Sequence, residues 1–230
     1  MCDTCGCGNP AVVPVDVQAN LLAANDHQAA HNREHLAAHG VLGVNLMGSP
    51  GAGKTAVLEA TTAAARELRL GAVTGDLATD HDAERLRAAG IPSVGITTGT
   101  ACHLDAALVH HALHDHRLDD VDVLFVENVG NLVCPAVYDV GAAVNVVALS
   151  VTEGEDKPLK YPKMFRMAEA AVINKIDLLP YVPFDVEKAI AFAREVNPAL
   201  RFFRTSAHTG AGMDEWYGYL REKIAAARAS

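Results

Sequence analysis

The chain has 230 residues, half of them apolar and only 5% aromatic, and carries a formal net charge of −9. That length buries a core and fits one globular domain with appendages, and the scarcity of aromatics favours an α/β protein over a β-sandwich. The acidic balance, with no sustained Lys/Arg block, excludes nucleic acid or an anionic membrane surface as the main partner, and the longest apolar stretch, around residues 142–151, is too short to span a bilayer.

Residues 1–14 hold Gly, Pro and three of the five cysteines without an apolar period, and are expected to form a flexible tail. No basic start followed by an apolar run marks an export signal, so a cytoplasmic setting with reduced thiols is expected. Residues 15–39 read as a helix, with Leu21, Leu22 and Leu36 among alanines and Gly40 as its stop. Strands are then expected at 41–47, 72–75, 93–96, 122–126, 144–150, 170–174 and 200–204. Helices are expected between them at 54–69, 80–89, 102–116, 185–196 and 213–228. Continuous apolar strands alternating with helices predict a mostly parallel sheet covered on both faces, with ligands beyond the strands' carboxyl ends.

The stretch GSPGAGKT is a G-x-x-x-x-G-K-T phosphate loop between a strand and a helix, which predicts a P-loop NTPase. Gly48, Gly51 and Gly53 let the backbone turn, so that loop N–H groups, that of Ala52 included, point at phosphate oxygens. Lys54 would reach the β- and γ-phosphates and the Thr55 hydroxyl would ligate Mg²⁺. In VINKIDLL, Asp177 can accept from guanine N1–H and the 2-amino group, Lys175 can lay its stem along the base and Asn174 can brace the loop. Backbone N–H groups near Ser206 and Ala207 would meet guanine O6. The substrate is therefore read as GTP, hydrolysed to GDP and phosphate. Glu127 and Asp76, each at a strand end, are the carboxylate candidates for Mg²⁺. Asp80 is a weaker candidate for positioning water, and Asp80 and Asp82 read equally well as helix N-caps. No Gln or Arg stands out as an activator of water, so slow, switch-like turnover is expected.

The cysteines add a second chemistry. Cys102 and His103 in TACHLD and Cys134 in ENVGNLVCP follow strand ends, and thiolate plus imidazole suits Zn²⁺ or Ni²⁺. Small buried cysteines are the competing reading. Two or three donors leave the coordination sphere incomplete, and a second copy across a two-fold axis could complete it. Because Cys134 follows Glu127 by seven residues, loss of the γ-phosphate would move a metal ligand. Cys2, Cys5 and Cys7 can wrap one soft ion, with the amine of Cys2 as a fourth donor if Met1 is removed. His27, His31, His35 and His39 recur every fourth residue, as do His110 and His114; a solvated helix face is the favoured reading and metal chelation the alternative.

Together, C-x-x-C-G-C, GSPGAGKT, CHLD, ENVGNLVCP, SVTEGEDKPLKYP and NKIDLLPY make the chain resemble the hydrogenase nickel-incorporation GTPases, the HypB family, over nearly its whole length. The resemblance implies three parts: a Cys-rich tail over 1–14, an amino-terminal helix over 15–40 and a G domain over 41–230 that dimerises around GTP. It implies a tail nickel site at Cys2, Cys5 and Cys7, and a Zn²⁺/Ni²⁺ site at Cys102, His103 and Cys134 near the dimer interface. It further implies a metallochaperone delivering Ni²⁺ to the [NiFe]-hydrogenase large-subunit precursor with a partner, HypA, and a role for Lys157 or Lys160 at the nucleotide or dimer interface. Ala106 and Ala107 stand where some members carry a further histidine, which speaks against a dinuclear site. The related urease-maturation GTPases usually read Cys-Pro-His at the metal loop, unlike this chain. A nickel-storage protein would suit the histidine stripe, but the intact Lys54, Thr55 and Asp177 oppose it.

Overall fold

The computed structural model describes residues 15–229; Cys2, Cys5 and Cys7 lie outside the described residues. The chain forms α1 (Val15–Ala38), β1 (Leu42–Gly48), α2 (Lys54–Ala64), β2 (Leu70–Asp76), α3 (His81–Ala88), β3 (Ser93–Thr97), α4 (Ala106–Leu113), β4 (Val123–Glu127), β5 (Val144–Ser150), α5 (Lys157–Lys160), α6 (Pro162–Met167), β6 (Ala170–Asn174), α7 (Val186–Val196), β7 (Arg201–Arg204) and α8 (Met213–Ala229). The strands make a seven-stranded sheet in the order β3-β2-β4-β1-β5-β6-β7, and every neighbouring pair is parallel.

Alternate side chains of the strands feed cores on opposite faces, as the two-residue strand period requires. Leu42, Val44 and Leu46 of β1 join Phe125, Val146, Phe203 and Trp216 beneath α2 and α8. Leu124 and Val126 of β4 turn the other way, packing with Val109 and Leu113 of α4 and Leu36 of α1. Trp216 is fully buried, and its indole N–H donates to Thr61 Oγ1 at 3.1 Å.

Three expectations need correction. The helix expected over 54–69 ends at Ala64, and β2 starts at Leu70 rather than at 72. Arg69 explains both: its guanidinium holds Asp122 at 2.7 Å and its carbonyl accepts from Asp122 N at 2.7 Å, which pulls the chain into the sheet. Arg69 and Arg228 hold the Asp122 carboxyl at about 2, well below the usual range. The helix expected over 102–116 begins only at Ala106, because Asp105 caps it by accepting from Leu108 N at 2.8 Å. That cap leaves Cys102 and His103 on the preceding loop. The helices α5 and α6 were not anticipated.

Helix α1 is held by polar anchors more than by leucines: Leu21 is half exposed, and of its leucines only Leu36 is buried in the core, alongside Ala29. Asn32, fully buried, donates to the carbonyls of Ala106 at 2.8 Å and Val140 at 3.2 Å. Asn25 accepts from Ala106 N and donates to the Asp139 carbonyl. These bonds lay α1 along α4.

Candidate nucleotide and metal site

The phosphate loop runs from the carboxyl end of the central strand β1 into α2. A Cβ on Gly48 would stand 2.4 Å from the Ala148 carbonyl oxygen, and one on Gly53, at φ +89°, would stand 2.5 Å from Asn174 Nδ2. Neither position tolerates a side chain. Lys54 opens α2, is buried, and lies 3.4 Å from the Ser49 carbonyl. Burial lowers its pKa, against the opposing pull of Glu127 and Asp82. An anion beside this ammonium would offset that cost. The loop forms one wall of a cavity of about 410 Å³ whose other walls carry Asp76, Asp82, Arg85, Glu127 and Gly130. A larger groove of about 950 Å³ lies along β7 and α8, remote from these residues.

The Thr55 hydroxyl sits between two carboxylates, 2.7 Å from Glu127 Oε1 and 2.9 Å from Asp82 Oδ1. One hydroxyl proton cannot serve both. Glu127 Oε2 is buried with no hydrogen-bond partner, and burial pushes the Glu127 carboxyl up to about 7. A hydroxyl, two carboxylates and an orphaned buried oxygen form a hard oxygen donor set that fits Mg²⁺.

Asp82, read from the sequence only as a capping candidate, is thus the carboxylate that joins Thr55. Asp76 lines the same cavity, but its Oδ1 accepts from the N–H groups of Ala78 and Thr79 at 2.9 Å each. These bonds hold its pKa low. Asp80 stands at the N-cap position of α3 but makes no side-chain cap there; its carboxylate pairs with Arg87 at 2.6 Å. Arg85, not singled out in the sequence, stands on the cavity wall with its guanidinium held by Glu59 at 2.7 Å.

The base-side loops are already braced to one another. Asn174 donates to the Ala52 carbonyl at 3.3 Å and accepts from Ala207 N at 3.1 Å, tying the phosphate loop to the segment after β7. Lys175, at φ +65°, is the one non-glycine residue with positive φ among the described residues. Its Nζ reaches the Gly51 carbonyl at 2.6 Å. Asp177 accepts from the Ser206 hydroxyl at 2.5 Å. The Ser206 N–H, expected to face guanine O6, donates here to the Ala211 carbonyl at 2.8 Å.

Cys102, His103 and Cys134 converge as the sequence suggested, their donor atoms all within 4.8 Å of one another. The two sulfurs are 2.8 Å apart. His103 is buried and stacks on Tyr138 with ring centroids 3.9 Å apart. Its Nδ1 is buried without a hydrogen-bond partner, and burial lowers its pKa. A neutral imidazole with an unmatched nitrogen beside two sulfurs fits Zn²⁺ or Ni²⁺. Tyr138 was missed, since a lone tyrosine four residues past a cysteine carries no pattern.

Residues 127–134 join the two groups. Glu127 faces Thr55, and Asn128 accepts from Leu104 N beside His103. A Cβ on Gly130 would press on Pro50 at 2.9 Å. Asn131 bridges to Gly48 through its backbone and donates to the Cys102 carbonyl at 3.2 Å. Cys134 closes the segment at the start of a short 3-10 turn.

Residues 42–204 match the family described as CobW/HypB/UreG, nucleotide-binding domain. The hydrogenase maturation factor HypB of Azotobacter vinelandii is 51% identical over 90% of this chain and 69% of its own length. That of Cupriavidus necator is 45% identical over 94% and 71%. The crystal structure of HypB from Helicobacter pylori in complex with nickel superposes with a TM-score of 0.84 at 40% identity, covering 88% of this chain and 96% of that one. The chain therefore belongs to the HypB hydrogenase maturation factors, within the CobW/HypB/UreG nucleotide-binding family.

Proposed function

We propose that this GTPase carries Ni²⁺ on Cys102, His103 and Cys134 and uses GTP hydrolysis to change its grip on the ion during hydrogenase maturation in the cytoplasm. The observation that carries this reading is the single segment 127–134, with Glu127 at Thr55 and Cys134 at Cys102. The Helicobacter pylori relative, crystallised with nickel, supports Ni²⁺ as the cargo; Zn²⁺ fits the same donors.

GTP enters with its phosphates against backbone N–H groups of the phosphate loop and the Lys54 ammonium. Asp177 takes the N1–H and 2-amino group of guanine, and Asn174 and Lys175 hold the loops on either side of the base. Thr55, Glu127 and Asp82 would hold Mg²⁺, which when bound would offset the negative charge of the phosphates. Water attacks the γ-phosphorus and the bond to the β–γ bridging oxygen breaks, giving GDP, phosphate and a proton. Arg85 is tied to Glu59, so turnover by the chain alone is slow.

Three donors from one chain leave a coordination position that a second copy fills when GTP pairs two protomers. Ni²⁺ then passes toward the large-subunit precursor of [NiFe]-hydrogenase, with HypA as the partner metallochaperone. Cys2, Cys5 and Cys7 form a separate tail site that loads first. The test is phosphate release with GTP and ATP, beside Ni²⁺ titration of wild type, Lys54→Ala and Cys134→Ala. Lys54→Ala is expected to lose GTP turnover and keep its nickel; Cys134→Ala is expected to lose one class of nickel. Equal turnover of ATP and GTP, or unchanged nickel binding in Cys134→Ala, overturns the reading.

A further inference from the structure

Packing of α1 on α4 brings two histidine series together. The His31 ring lies 5.1 Å from that of His110 and the His35 ring 6.2 Å from that of His114, while His110 and His114 are 4.7 Å apart by centroid. The two sets are separated by 70 residues or more in sequence, and the Asn25 and Asn32 anchors, with Leu36 packed on Val109 and Leu113, make them meet. The stripe on α1 is thus one half of a two-helix cluster, and not a solvated face alone.

Hydrogen bonding fixes which nitrogen of His110 is available. Asn32 Nδ2 lies against two carbonyl oxygens, so its Oδ1 faces His110 Nδ1 at 3.1 Å. That oxygen can only accept, so Nδ1 carries the proton and the lone pair sits on Nε2. His110 Nε2 accepts a hydrogen bond from His114 Nε2 at 3.3 Å, a bond that a shared ion would replace. Two imidazole nitrogens on one ion at ~2.1 Å are separated by about 3.0 Å at a right angle and about 3.4 Å at the tetrahedral angle. The pair is therefore spaced as cis ligands, with the outer N–H of His110 locked by a buried amide, as metal-ligating histidines commonly have it. On the α1 side, His35 Nδ1 is buried with no hydrogen-bond partner. The His39 ring lies 5.3 Å from that of His35, with its Nδ1 held by Asp119 at 2.8 Å.

We propose that His110 of α4 and His114 at its C-cap, joined by rotation of the His31 and His35 side chains of α1, form a sulfur-free site for a late first-row divalent ion, for which Ni²⁺ is the probe. Imidazole donors alone suit Ni²⁺, Cu²⁺ and Zn²⁺ and exclude Mg²⁺. Partial burial, then the neighbouring imidazoles, keep His110 and His35 below the ordinary histidine pKa, so both are neutral and able to ligate at neutral pH. The site is separate from both cysteine sites and extends the proposed function by adding a third holding place on the same chain.

The test is equilibrium dialysis of the full chain against nickel chloride, comparing wild type with His114→Asn and with His110→Asn/His114→Asn. His114 is exposed, so the single variant is expected to fold; its melting temperature checks this. The double variant is expected to bind one Ni²⁺ fewer per chain, and the single variant to hold that ion about tenfold or more weakly. The near-ultraviolet thiolate-to-nickel absorption and GTP turnover should stay at wild-type levels in both. Equal nickel counts and midpoints in all three proteins overturn the site. So does a lost ion that takes the thiolate absorption with it. Neither result touches the cysteine site, whose own test is Cys134→Ala.

Discussion

Asn131 donates from its side chain to the carbonyl oxygen of Cys102 while its backbone bridges to Gly48 of the phosphate loop. One residue thereby touches both the nucleotide machinery and the thiol cluster, midway along the segment from Glu127 to Cys134. Any shift of that segment when the γ-phosphate leaves displaces a sulfur donor.

Glu127 gives a pH signature. Its carboxyl is raised from 4.5 to about 7 by burial, so in chelator and without nucleotide the folded protein keeps a proton that the unfolded chain has released. Stability therefore falls as pH rises through that window. Glu127→Gln lacks this loss, and its stability relative to wild type is expected to improve by on the order of 2–3 kcal/mol between about pH 5 and about pH 8. Histidines with lowered pKa, His35, His103, His110 and His116, act in the opposite sense but equally in both proteins. Urea unfolding at a series of pH values checks this. Parallel curves for the two proteins would refute it.

Asp82 and Asp80 separate cleanly. Asp82→Asn removes one of the two carboxylates at Thr55, and the Mg²⁺ concentration for half-maximal turnover is expected to rise about tenfold or more. Asp80→Asn, whose native partner is Arg87, should stay within about twofold. Phosphate release against Mg²⁺ concentration decides it.

Asp177→Asn replaces an acceptor-only carboxylate with an amide that can also donate. Preference for GTP should fall by about a hundredfold, and xanthosine triphosphate, which presents an oxygen at C2, should become the better substrate. Competition binding with the two nucleotides is the measurement, and unchanged preference would place the base elsewhere.

The phosphate loop and the Asn174-Lys175-Asp177 cluster were legible because each is a local pattern at a strand end, and the cysteine–histidine set because both of its loops follow strand carboxyl ends. The second carboxylate at Thr55 was not. Asp76, Asp80 and Asp82 look alike in sequence, and only the side-by-side placement of β2 and β4, with the turn into α3, selects Asp82. The position of His103 was blurred by running a helix through it, since Asp105 as a cap competes with an unbroken apolar pattern. The roles of Asn131 and Asn32 depend on contacts 29 and 74 residues away, and no period in the chain encodes them.

The most direct measurement is the Ni²⁺ affinity of the Cys102, His103 and Cys134 site with GDP and with a non-hydrolysable GTP analogue, in wild type and Asn131→Ala. Wild type should show affinities differing by about 5- to 150-fold between the two nucleotides, and Asn131→Ala should bring that ratio close to one while nickel still binds. Equal wild-type affinities in the two nucleotide states would contradict the account.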